Sequence, residues 1–453
     1  MVMMQDAIAH NGRQAHSSRG LLDLLMENFD VRSMILDKLS IYEFAMLSAT
    51  NKSLRTVLFG DHFDVNRSLK RYVDSPTAFR GLLHSCGAFV GGTFPLGIFQ
   101  GRPWKGGTFD VYVSAEKFDI LEAHLTTEEG YQEGDRCRNT YLEVVLTFPL
   151  RRARSDVLQA SEYHRTLSNG RKESIKVVYG SQAPLFDFLF DLNFSPLACI
   201  MTWDRIISLF PFPTFRQHKM HNFSTVNEVS IHLGEDLKNL DENGWPLEEL
   251  LVVKGDNQER YLFLYEPFTR FRLHRSLKPF RYVGDKYAYR IRLNTEGITT
   301  SAESVPSSVL DHCEFSFHGD DQDAPLELLC AAVTHPLLKW HYTAAISGER
   351  RLTMEEEFQD KGSIFLGVLF RLQSLMPYEC AKLPYAQRPP QYRREDLDLS
   401  QDGLDAWQNW MVSLSHDWKK PASWRHVDHV VPEWVQLFAA QRELRERQGL
   451  PLV

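Results

Sequence analysis

Two short stretches carry residues able to handle phosphate and metal. Gly91-Gly92-Thr93 closes an apolar run, "AFVGGT", and Asp110 stands inside a β-branched run, "TFDVYV". Glycines without a Cβ let backbone N–H groups come close to an anion, above all where a helix begins. A carboxylate on a strand can bind a divalent cation that bridges phosphate oxygens. Such cations need several converging carboxylates, and the position two before Asp110 is Thr108. One carboxylate supplies too little charge to hold two metals against their hydration. These residues therefore predict a phosphate-adjacent turn beside an incomplete metal site. A structural glycine turn, with Asp110 at a strand end, is the alternative reading.

Other chemistry is weaker. His218 and His221, and His426 and His429, have three-residue spacing, but neither pair has the glutamate of an HExxH arrangement, so surface or capping roles are expected. There is no GxSxG and no GxxxxGK[ST]. The six cysteines are scattered without a CxxC, which points to isolated thiols rather than a disulfide scaffold or zinc module. Basic and aromatic residues interleave from Arg270 to Arg292, as on a single-stranded nucleic-acid surface. With a formal net charge of −8, a sheet with a solvated face is the preferred reading, and no nucleic-acid partner is expected.

The elements that must position these residues follow from periodicity. "AFVGGTFPLGIF" reads as strand, turn and helix, and "GTFDVYVS" as a strand. "AEKFDILEAHLTTEEGY" reads as a helix with Phe118, Leu121 and Leu125 on one face. "TYLEVVLTFPL" and "ESIKVVYG" read as strands, and "RRARSDVLQASEYHRTLSNGRK" between them as an exposed excursion. "APLFDFLFDLNF" reads as a helix followed by strand-like segments. "ERYLFLYEPF" and "KYAYRIRLN" read as strands, 301–325 as a loop, "LPYAQRPPQYRRED" as a linker, and "PEWVQLFAAQRELRERQG" as a helix. The fold class is α+β.

The central region resembles a group of fungal proteins with a nucleotidyltransferase fold. Val90-Gly91-Gly92-Thr93 stands for that group's Gly-Ser turn, Thr108 to Val113 for its Asp-x-Asp strand, and Glu129-Gly130-Tyr131 for its closing Glu-Gly-Tyr. The resemblance continues through "IKVVYG" and the segment up to "FPFPTF", and spans about residues 80–220. It implies a triphosphate on the glycine turn, two magnesium ions on the aspartate pair, and a third carboxylate on a neighbouring strand. The chain departs from this at Thr108 and again at Ile175-Lys176-Val177-Val178, where Lys176 stands in the likeliest place for that carboxylate. The resemblance thus implies a domain that has lost metal-dependent transfer. Asp187 or Asp191 could restore a carboxylate. A nucleotide could also bind without turnover on Gly91, Gly92 and Thr93, with Lys105 or Lys176 as counter-charge.

Residues 28–58 resemble an F-box. Phe29 stands where many members have a Leu-Pro entry. Ile35, Leu36 and Leu39 match the first core stretch, and Phe44 and Leu47 the second. The resemblance implies docking of these side chains on a Skp-type adaptor and so on a cullin ubiquitin ligase, with an unknown protein target. The alternative is that they pack within the chain.

With 453 residues, 43% hydrophobic, the chain is long enough for two or three cores. The expected organisation is a disordered leader at 1–20, F-box-like helices at 21–72, a catalytically degenerate nucleotidyltransferase-like domain at 73–225, and a β-then-helical region at 226–453. No run reaches the ~18 apolar residues of a membrane span. A place in cytoplasm or nucleus is expected, without a membrane partner. No cofactor is expected, or magnesium if the transferase reading holds.

Overall fold

The computed structural model describes residues 30, 34, 35, 39, 43, 44, 47, 63–101, 108–147, 150–167, 170–180, 183–221, 239–245, 250–254, 259–263, 280–301, 304–318, 327–333, 335–345, 363–393 and 419–448. The chain is α+β, and it divides into two compact units, Met1–Asp64 and Val65–Val453.

In the first unit, Met34 and Ile35 are helical, as are Glu43, Phe44 and Leu47. Phe44 is buried, with its ring edge-on to Phe63 at 5.0 Å. Met34 is 70% exposed, and Ile35, Leu39 and Leu47 are half-buried. Phe29 and Leu36 lie outside the described residues.

The second unit begins with α1 (Val65–Leu69), which the sequence reading had placed in the first module. Then come α2 (Pro76–Cys86), β1 (Phe89–Gly91), α3 (Thr93–Phe99), β2 (Asp110–Tyr112), α4 (Phe118–Thr127), β3 (Gln132–Thr147), β4 (Leu150–Thr166), β5 (Lys172–Tyr179) and α5 (Pro184–Asp191). β6 (Cys199–Met201), β7 (Arg205–Ser208), β8 (Leu250–Lys254), β9 (Glu259–Phe263), β10 (Phe280–Tyr282) and β11 (Tyr289–Arg292) follow. The chain closes with α6 (Ser307–Asp311), β12 (Glu314–His318), β13 (Glu327–Val333), β14 (Tyr342–Ala345), α7 (Ile364–Ala381) and α8 (Val431–Gln448).

Among the described residues, twelve strands form one mixed sheet in the order β10-β12-β13-β3-β4-β5-β2-β1-β6-β7-β11, with β14 also on β13. β2 runs parallel to β5 and antiparallel to β1. β11 pairs with β7, and β13 pairs in parallel with β3. Strands from both sides of residue 225 therefore share one sheet.

Local chemistry accounts for the elements beside β1 and β2. Helix α2 starts on Pro76, whose fixed φ suits the first turn, and buries Phe79, Leu83 and Cys86. It ends at Gly87 in the left-handed region at φ 63°, where the amides of Gly87 and Ala88 close on His84 and Leu83. Helix α4 buries Phe118, Leu121 and Leu125, as their spacing predicts. Burying one such side chain contributes about 1.5–3 kcal/mol.

The segment expected to be an exposed excursion is instead β4, paired with β3 on one side and β5 on the other. Its alternation is polar on both faces. Ser161, Tyr163 and Arg165 are buried while Glu162 and His164 are exposed. The buried face carries hydrogen bonds at Tyr163 and at Nη1 of Arg165, while Nε and Nη2 of Arg165 have no hydrogen-bond partner among the described residues. Tyr163 donates to Glu122 at 2.8 Å, and Arg165 donates to the Glu129 carbonyl at 3.1 Å. The 301–325 segment expected as a loop contains α6 and β12. The expected linker folds into two tight helical turns, Tyr385–Gln387 and Pro390–Arg393, with Tyr392 buried.

Two buried charges join distant elements. Arg80 on α2 donates to the carbonyls of Trp203 at 2.8 Å and Asn294 at 2.7 Å, and to the Asn66 side chain at 3.0 Å. Burial lowers its pKa to about 10, against the opposing pull of Asp204. Glu314, fully buried at the start of β12, accepts from Ser363 Oγ at 2.7 Å and from the amides of Ile364 and Phe365, both at 2.9 Å. It thereby caps the N-terminus of α7.

Candidate functional site

Gly91, Gly92, Thr93 and Asp110 do come together. Gly91 is the cross-strand partner of Asp110 in the antiparallel β1–β2 pair. Gly92 takes a left-handed φ of 77° and forms the cap of α3. A Cβ on Gly92 would lie 3.7 Å from Asp110 Oδ2, and Thr93 Oγ1 donates to the Thr108 carbonyl at 2.9 Å. The turn and the aspartate thus meet at one end of two short strands.

The turn is poorly equipped to cradle phosphate. The Gly92 amide donates to the Cys199 carbonyl at 3.0 Å, which commits it to the β1–β6 edge. Pro95, in the first turn of α3, has no N–H to offer. The helix has only seven residues, so its dipole is short. Gly91 has a packing reason for its identity. A Cβ there would stand 2.7 Å from the Phe188 ring and 2.8 Å from the Tyr112 ring.

The carboxylate side is equally specific. Thr108, where the second aspartate of a pair would stand, donates its hydroxyl to Asp110 Oδ2 at 2.7 Å. In the parallel β2–β5 pair, Asp110 lies directly opposite Lys176, and Lys176 lies opposite Glu162 in the β4–β5 pair. Residues in register share a face, so Asp110, Lys176 and Glu162 form a row of alternating charge across three strands. Tyr112, two residues on from Asp110, shares that face. Asp191 at the end of α5 closes over it. Its Oδ2 is 3.7 Å from Lys176 Nζ and accepts from the Tyr112 hydroxyl at 3.1 Å.

Asp191 therefore meets a lysine and a phenol here, and its charge answers Lys176. Asp187, the other candidate, is buried within α5. Lys105 lies outside the described residues. Among the described residues, no group of three or more His, Cys, Asp or Glu is placed to hold a metal ion. A coplanar row of Asp, Lys and Glu favours cross-strand pairing over cation capture, because the ammonium repels a second positive charge.

The Glu129-Gly130-Tyr131 segment has a structural part. Burial would raise the Glu129 pKa. The His124 ring, 3.7 Å away, and the amides of Asp74 and Ser75, which donate to the carboxylate, outweigh that and hold it below the ordinary 4.5. Its carboxylate stands at the start of α2 and 3.4 Å from Arg165, whose guanidinium lies over the Tyr131 ring at 4.9 Å. Tyr131 donates to the Tyr72 carbonyl at 2.7 Å. The motif ties the end of α4 to the start of α2 and to β4.

The histidine pairs separate. His221 is buried, and burial lowers its pKa to about 4. His218 has a left-handed φ of 52° and stacks on Trp245 at 4.4 Å. His221 is thus an interior residue, not a surface one. Arg281, in the basic run, is buried against Asp285 and donates to the Leu209 carbonyl at 3.0 Å, so it serves packing.

The sequence reading did not include Tyr112 and Glu162 in the site. The period-two alternation that puts Tyr112 beside Asp110 was available; the pairing that brings in Glu162 runs through β4, read as an excursion. Comparison with known protein families, with curated proteins and with solved structures finds no match to this chain.

Proposed function

We propose that this chain is a non-catalytic interaction protein. In this reading, an F-box-type surface in the first unit engages a Skp-type adaptor and through it a cullin ubiquitin ligase. The nucleotidyltransferase-like sheet serves as a scaffold that presents a recognition surface to a protein target, in cytoplasm or nucleus. Among the described residues, no helix is long and apolar enough to cross a membrane.

The observation that carries the non-catalytic half is the register of Lys176 against Asp110, with Asp191 paired to that lysine. The adaptor half is supported by apolar side chains of the first unit that are not fully buried. Met34 is largely exposed, and Ile35, Leu39 and Leu47 are half-buried. Such a strip is how an amphipathic helix meets a partner groove. Phe44, expected in that strip, is supplied to its own core beside Phe63.

Capture of the intact chain by an immobilised Skp-type adaptor tests the reading. Binding is expected, with loss of at least tenfold in Ile35→Asp and no change in Thr93→Ala. An intact, folded chain that the adaptor ignores overturns it. One arrangement favours a second reading, a nucleotide-binding or transferring protein that uses magnesium. Gly92, with its left-handed φ, begins α3 directly beside Asp110. A thermal shift with nucleoside triphosphate and magnesium, lost in Gly92→Trp, supports that alternative.

A further inference from the structure

Two stretches far apart in the chain are fastened together ahead of α8. Residues 335–341 lie between β13 and β14, and residues 419–430 lead into α8. The Val427 amide donates to the Leu337 carbonyl at 2.8 Å, and the Trp424 indole donates to the Pro336 carbonyl at 2.9 Å. Asp428 accepts from the amides of Lys339 at 2.8 Å and Trp340 at 3.1 Å. The Trp424 and Val427 side chains are buried. Residues 419–427 form neither helix nor strand. The segment is therefore a strap held by a few bonds and two apolar side chains, an arrangement that opens more readily than a sheet.

The bonds at two histidines fix their charge state. His335 is buried, and its Nδ1 accepts from the Leu337 amide at 3.2 Å. An amide N–H can only donate, so Nδ1 holds a lone pair and the ring proton sits on Nε2. Nε2 is buried and has no hydrogen-bond partner among the described residues. A second proton on this ring would break the Leu337 bond and leave a cation in the interior without an acceptor. His426, on the strap, meets a similar constraint. Its Nε2 lies 3.4 Å from Lys420 Nζ, and an ammonium has only donors to offer.

The surrounding charges act in the same direction on balance. Burial, with Lys420 second, pushes the His335 pKa down to about 3. Burial, then Lys420 and Lys339, hold His426 below the ordinary 6.5 against the pull of Asp428. His341, on the turn, is lowered by burial, with Glu116 and Asp428 pulling it up and Lys420 pushing it down. His429, the other histidine of the strap, is exposed.

We propose that residues 419–430 form an acid-released strap, closed on residues 335–341 while His335 and His426 are neutral and set free when these rings take up protons. Opening lets water reach both rings, which then titrate near the ordinary value of about 6.5. The closed state is thus fully favoured above that pH. Below it, each pH unit multiplies the open-to-closed ratio about tenfold per histidine, down to the folded value of about 3 at His335. Release bares Trp424 and Val427 and loosens the entry to α8. The strap lies within the second unit, so the device stands whether or not the adaptor reading holds.

Hydrogen exchange of the full chain, read by mass spectrometry at about pH 7.5 and about pH 5.5 and divided by the intrinsic rates, tests this. Protection over 419–430 is expected to fall about tenfold or more between the two, while staying below that of α4 at both. His335→Asn offers Leu337 an amide oxygen but cannot take up the proton. It is expected to shrink the fall at least about threefold. Exchange of the His335 ring Cε1–H in the native chain is expected to report a pKa below about 5. The proposal is overturned by equal protection at the two pH values, by strap and α4 amides exchanging alike, by the full fall persisting in His335→Asn, or by a His335 ring that titrates near about 6.5. If His335→Asn does not fold, the native ring titration decides alone.

Discussion

At the scale of single residues, the two glycines of the turn have different reasons to be there. Gly91→Ala drives a methyl group into the Phe188 and Tyr112 rings at under 3 Å. Overpacking of that kind costs about 1–3 kcal/mol. Gly92→Ala brings its methyl only into ordinary contact with Asp110 Oδ2 at 3.7 Å, and its cost is the positive-φ backbone, about 1–3 kcal/mol. Chemical denaturation of both variants checks this. The account expects Phe188→Leu to rescue part of the Gly91→Ala loss and none of the Gly92→Ala loss. Glu129 gives the pH prediction. Its folded pKa lies below the unfolded 4.5, so its contribution is present above that pH and is lost as pH falls through the folded value. Glu129→Gln should cost about 2–3 kcal/mol at pH 7, and urea titrations should find the gap to the native chain closing as pH falls below 4.5. The site was legible at this scale where the residue types are explicit. Thr108 for an aspartate and Lys176 for a third carboxylate were visible as letters, and the register sets Lys176 beside Asp110.

At the scale of elements, α7 depends on one buried carboxylate. Burial raises the Glu314 pKa, opposed by Arg442, by the amides of Phe365 and Ile364, and by the Ser363 hydroxyl. Glu314→Ala leaves those amides without an acceptor inside the core. It should destabilise by about 2–4 kcal/mol, with Glu314→Gln milder. Hydrogen exchange should show the first turn of α7 losing protection before its middle. The elements around the turn were readable because their apolar residues keep a clean period. Phe118, Leu121 and Leu125 on α4 are the plain case. β4 was not readable, because Ser161, Tyr163 and Arg165 face inward and hydropathy carries no trace of a core filled by hydrogen-bonded polar groups. The Ser/Asp/Pro-rich 301–325 segment hid α6 and β12 for the same reason.

At the scale of the whole molecule, distant parts of the chain complete one sheet. β11 covers the edge of β7, and β13 covers the edge of β3. A chain cut after residue 225 exposes both edges, and exposed edges recruit other chains. The 65–225 fragment should therefore aggregate or lack a cooperative transition, whereas 65–453 should unfold cooperatively. Size-exclusion chromatography and thermal melts of the two fragments check this. No composition shift at 225 announces such pairing, since contacts between strands from about 80 to about 190 residues apart leave no local pattern.

The central claim is that the face around Asp110 pairs charges within the protein instead of collecting cations. Calorimetric titration of manganese into the full chain, with and without a non-hydrolysable ATP analogue, tests it most directly. The account predicts no manganese site at Asp110 tighter than about 1 mM and identical traces for the native chain and Asp110→Asn. Manganese binding below about 100 μM that disappears in Asp110→Asn would contradict it.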